Sequence, residues 1–89
     1  MLIREHVTIT GRVQNVGLRR RAARIAGEVG VTGWVKNLSS GNAVELELQG
    51  EETDIEYLLG RLEAHAWFDE VEKKRLPLAD LYDFKIIRG

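Results

Sequence analysis

Gly11-Arg12-Val13-Gln14-Asn15-Val16-Gly17-Leu18-Arg19 carries the chain from a strand pattern directly into a helix pattern. Before it, Leu2 to Thr10 alternates, with Ile3, Val7 and Ile9 on one face and Arg4, His6, Thr8 and Thr10 on the other. Glu5 interrupts the apolar face, which predicts an edge strand or a frayed start. After the stretch, Leu18, Ala22, Ile25, Ala26 and Val29 form one helical stripe, and Gly30 falls where a left-handed C-terminal cap belongs. A glycine-containing turn that opens a helix leaves backbone N–H groups unpaired at the positive end of the helix dipole. Such a turn suits an anion, most naturally a phosphate. Arg19 adds a planar fork of donors at its rim. Arginine at a helix N-terminus is unfavourable unless an anion offsets it.

The remaining pieces follow from periodicity. Val31 to Asn37 reads as a short strand, Leu38-Ser39-Ser40-Gly41-Asn42 as a tight turn, and Ala43 to Gln49 as its hairpin partner. In that partner Val44, Leu46 and Leu48 face inward, and Glu45, Glu47 and Gln49 face solvent. Thr53 with Glu56 predicts a capping box for a second helix, whose buried stripe is Ile55, Leu58, Leu59, Leu62 and Ala66. Val71 to Leu76 and Tyr82 to Ile87 read as two more strand segments around Pro77. Strand, helix, strand, strand, helix, strand, with a possible fifth strand, folds by right-handed crossovers into an α+β, ferredoxin-like two-layer sandwich. The expected sheet is antiparallel with both helices on one face.

Composition narrows the class. With 89 residues, one domain over 1–89 is expected. The hydrophobic fraction of 44% suffices for one core covered on one side. The absence of cysteine excludes disulfides, thiolate chemistry and cysteine-based zinc sites. No apolar run resembles a signal peptide or a membrane span, so a cytoplasmic protein without a membrane partner is expected. A net charge of −1 does not point to nucleic acid.

A second candidate residue emerges from chain lengths. Arg19 to Gly30 makes roughly 17 Å of helix. Val31 to Asn37 makes roughly 20 Å of strand running back beside it. Asn37 therefore returns to the level of Arg19 and the turn. It shares a strand face with Val31, Gly33 and Val35, so its carboxamide faces the helix layer.

The turn, Arg19, Gly33-Trp34-Val35-Lys36-Asn37, the Ser-Gly hairpin and Tyr82-Asp83-Phe84 together resemble the acylphosphatase family over nearly the whole chain. The family's loop reads Gly-x-Val-Gln-Gly-Val-x-Phe-Arg, and its second motif Gly-Trp-Val-x-Asn precedes a glycine turn. Asn15 stands where the family has Gly, and Leu18 where it has Phe. Asparagine is the mildest replacement at a positive φ, and Leu18 keeps an apolar anchor. The resemblance implies a hydrolase that splits acyl phosphates into carboxylate and inorganic phosphate without metal or cofactor. By it, Arg19 and Asn37 are the catalytic pair, and Gln14, Asn15, Val16, Gly17, Leu18 and Arg19 bind the phosphate. Asn37 orients the attacking water, and because it cannot titrate it is no general base. A monomer acting on a small-molecule acyl phosphate is expected.

Other readings are weaker. Arg20, Arg21 and Arg24 read as a solvated helix face, with Arg24 and Glu28 paired at i,i+4. His6 reads as a surface residue and His65 as a cation near a helix C-terminus. Trp34, Trp67 and Phe68 read as core or sheet-covering aromatics. An RNA-binding module shares this element order but stacks bases on aromatics of its first and third strands, where this chain has none. A non-catalytic anion-binding regulatory domain keeps the same pocket without turnover.

Overall fold

A computed structural model of the chain describes residues 1–88. The alternating segment becomes β1 (Leu2–Arg12), and the helical stripe becomes α1 (Leu18–Val29). Strands β2 (Thr32–Asn37) and β3 (Ala43–Glu51) form the hairpin. They are followed by α2 (Glu52–Glu63), β4 (Trp67–Leu76) and β5 (Phe84–Ile87). The sheet order is β4-β1-β3-β2-β5. The first four strands pair antiparallel. The added edge strand β5 runs parallel to β2, with Val35 opposite Ile86. The ferredoxin-like layout holds, but the sheet is mixed, not purely antiparallel. Periodicity reports faces and says nothing about strand direction.

The core lies between the sheet and the helices. Val7, Ile9, Val35, Val44, Leu46 and Leu48 from the sheet meet Leu18, Ala22, Ile25, Ala26, Ile55, Leu58, Leu59 and Leu62 from the helices, all buried. At about 25 cal/mol per Å² of apolar surface removed from water, this layer is the main source of stability. The stripes fix which faces meet, and Gly30, with φ 81°, ends α1 by donating its N–H to Ala26.

Several expectations change. Strand β1 is interior, flanked by β3 and β4, so Glu5 marks neither an edge nor a frayed start. Its carboxylate lies 4.0 Å from Arg75, which also reaches Glu52 at the start of α2. The capping box at Thr53 does not form. Strand β3 passes into α2 without a loop, Glu51 occupies the N-cap position, and no side chain caps the helix. The first N–H, of Glu52, instead donates to the Met1 carbonyl at 3.0 Å. Strand β4 begins at Trp67, earlier than the pattern predicts, and Tyr82 and Asp83 fall outside β5. Both are edge strands with mostly exposed side chains, so little alternation marks them. Trp67 is exposed rather than covering the core, while Phe68 packs against it. Trp34 covers the open sheet face, edge-on to His6 with ring centroids 6.4 Å apart. His6 is itself half-buried and lies 2.9 Å from Glu45.

Candidate functional site

The segment joining β1 to α1 is anchored at both ends and exposed between. Val13 and Leu18 are buried, whereas Asn15, Val16 and Gly17 face solvent. Asn15 and Gly17 take left-handed conformations, φ 61° and 75°. Asn15 thus adopts the backbone geometry that favours glycine, and Leu18 supplies the buried anchor. Among the described residues no carbonyl accepts from the N–H groups of residues 15–20. The first bonded N–H is that of Arg21, to the Gly17 carbonyl at 3.0 Å. The first turn of α1 carries no acidic residue, and Gly17 offers no side-chain cap. A run of free donors at a positive helix end with no built-in anion is a cradle for an external one.

Two contacts fasten this cradle. The Gln14 carboxamide donates to the carbonyls of Leu38 at 2.7 Å and Ala43 at 2.9 Å, across the β2–β3 hairpin. Gln14 therefore acts through its side chain as a brace. His65 is exposed just beyond α2, and its Nε2 lies 3.1 Å from the Val16 carbonyl. It serves the loop tip, not the end of α2.

Arg19 and Asn37 come together as the chain lengths predict. They line one cavity of about 200 Å³ with Asn15, Gly17 and Leu18. Asn37 Oδ1 is buried and has no hydrogen-bond partner among the described residues. A buried acceptor left unpaired costs about 1–3 kcal/mol, so its persistence at a cavity wall marks a position reserved for a donor. Arg20 and Arg88 also line this cavity, and among the described residues no carboxylate does. Arg88 escapes a reading of the sequence. Pairing of Lys36 with Ile87 sets Arg88 beside Asn37, and that register is invisible until β5 is known to run parallel to β2. Arg24 and Glu28 sit 3.9 Å apart on the solvated face of α1. Among the described residues no cluster of three His, Cys, Asp or Glu side chains is placed to hold a metal. Among the described residues no helix is long and apolar enough to cross a membrane.

Fold and site together define a ferredoxin-like protein with an arginine-lined cavity of about 200 Å³ at the β1–α1 turn. The acylphosphatase family model matches residues 5–86. The acylphosphatase of Geobacillus thermodenitrificans is 38% identical over 90 residues, covering 97% of this chain and 95% of that protein. That of Methylococcus capsulatus is 50% identical over 56 residues, which span 63% of this chain and 60% of that one. The structure of an acylphosphatase from Coxiella burnetii superposes with a TM-score of 0.85 at 34% identity, covering 97% of this chain and 93% of that one. The chain belongs to the acylphosphatase family. It is a hydrolase of that family, acting on acyl phosphates.

Proposed function

We propose that the N–H groups of residues 15–20 and the Arg19 guanidinium hold the phosphoryl oxygens of an acyl phosphate while Asn37 Oδ1 accepts a hydrogen bond from the attacking water. The water oxygen bonds to phosphorus as the phosphorus–acyl oxygen bond breaks. The carboxylate leaves with the electron pair, and the water's proton passes to a phosphoryl oxygen. A carboxylate is a good leaving group and needs little protonation, so positioning and charge neutralisation carry the catalysis. Gln14 acts on this site by bracing the loop rather than by touching the phosphate. All these groups come from one chain, which suits a monomer.

The observation that carries this reading is the buried, unpartnered Asn37 Oδ1 in the same cavity as Arg19. Titration with inorganic phosphate, followed by amide NMR, tests it. Signals of residues 15–20 and the Asn37 carboxamide should move together with one dissociation constant. Shifts confined to other parts of the chain would refute it.

A further inference from the structure

One donor of the phosphate cradle has its direction set from outside the loop. Val16 lies between the left-handed residues Asn15 and Gly17, and no backbone N–H among the described residues donates to its carbonyl. Nε2 of His65 meets that carbonyl at 3.1 Å. A carbonyl only accepts, so this nitrogen carries the hydrogen, as it does in one neutral tautomer and in the protonated ring. His65 is itself firmly placed, because its own N–H donates at 3.0 Å to the carbonyl of Leu62, a fully buried residue. In a planar trans peptide the carbonyl of one residue and the N–H of the next point in opposite directions. With the Val16 carbonyl drawn toward His65, the Gly17 N–H points away from it. Gly17 lines the cavity of Arg19 and Asn37, and His65 does not.

We infer that His65 is a positioning residue for the phosphate: it latches the Val16–Gly17 peptide in the orientation that aims the Gly17 N–H into the cradle. This rests on the phosphate being held by the N–H groups of residues 15–20 as proposed above. Glycine takes positive and negative φ alike, so this peptide is free to turn over at Gly17 once nothing holds its carbonyl. Turned over, it presents a carbonyl oxygen to the anion and repels it. An anion already in the cradle accepts from the Gly17 N–H and holds the peptide by itself. The latch therefore acts on the empty site. It keeps the binding-competent orientation populated, and its loss lowers affinity by the fraction of that orientation that is lost.

The test sets His65→Ala beside His65→Gln, whose carboxamide keeps an N–H donor. His65→Ala should raise the inhibition constant for inorganic phosphate and the KM for benzoyl phosphate about fivefold, while turnover at saturating substrate changes less than about twofold. His65→Gln should recover most of the lost affinity. Both partners in the bond are exposed, so Tm should hold in both variants. Arg20, Arg21 and Arg24 line a cavity with His65, where a charged ring would also favour an anion. The latch needs only the hydrogen on Nε2. The affinity loss in His65→Ala should therefore be the same at about pH 6 and about pH 8, a span over which histidine changes charge. A loss confined to the lower pH would overturn the latch. Unchanged phosphate inhibition would overturn it too, as would a fall in turnover with affinity intact. A lowered Tm in both variants would make His65 a structural support instead. Failure of the underlying phosphate site is a separate result, seen in the wild-type protein as amide signals of residues 15–20 that phosphate leaves unmoved.

Discussion

Gln14 donates a 2.7 Å hydrogen bond from its carboxamide to the Leu38 carbonyl, which ties the β1–α1 loop to the hairpin that follows Asn37. The two candidate catalytic segments are thereby held in register by a side chain outside the cradle itself. Gln14→Ala should cost about 1–2 kcal/mol of stability, because Leu38 and Ala43 each keep one backbone donor. It should also raise the inhibition constant for phosphate several-fold. Chemical denaturation and phosphate inhibition measured on the same variant check both effects.

Asn15 already occupies the left-handed region at φ 61°. Asn15→Gly should therefore leave turnover of benzoyl phosphate close to wild type. Asn15→Val should lower both stability and phosphate affinity, since a β-branched residue resists positive φ by about 1–2 kcal/mol. A large gain in Asn15→Gly would show that asparagine distorts the loop.

Two glycines should behave oppositely. A Cβ at Gly33, where φ is 135°, would lie 1.8 Å from the Glu47 carbonyl oxygen across the β2–β3 pairing. Gly33→Ala should cost about 3 kcal/mol or more. Gly27 lies in α1 with open space where its Cβ would go. Gly27→Ala should raise Tm by roughly 2 to 8 °C, from about 0.5–1 kcal/mol of helix propensity. Thermal melts of both variants decide the point.

Asn37 separates function from stability. Its Oδ1 is buried without a partner, so Asn37→Ala removes an unsatisfied acceptor. The variant should melt at or above the wild-type temperature even as hydrolysis falls. A Tm clearly below wild type would make Asn37 a structural residue.

Much of this arrangement was legible because strong periodicity and special turn residues coincide. Helix α1 is bounded by Gly17 and Gly30, and the near-equal lengths of α1 and β2 carry Asn37 back to Arg19. The obscure parts lie where neighbours decide. Edge strands β4 and β5 bury too little for alternation to show, so the direction of β5 and the place of Arg88 stayed hidden. Thr53 carries a capping signature, but β3 enters α2 directly, so the helix starts at Glu52 and Thr53 lies inside its first turn, past the cap position. Glu5 resembles an edge signal because its partner Arg75 lies seventy positions away.

Convergence of Arg19 and Asn37 on one anion is tested most directly by steady-state hydrolysis of benzoyl phosphate together with phosphate inhibition in the two alanine variants. Arg19→Ala should lose about a thousandfold or more in turnover and most of its phosphate affinity. Asn37→Ala should lose about a hundredfold in turnover while phosphate still inhibits near the wild-type concentration. Wild-type turnover in either variant, or equal loss of phosphate affinity in both, would contradict the shared site.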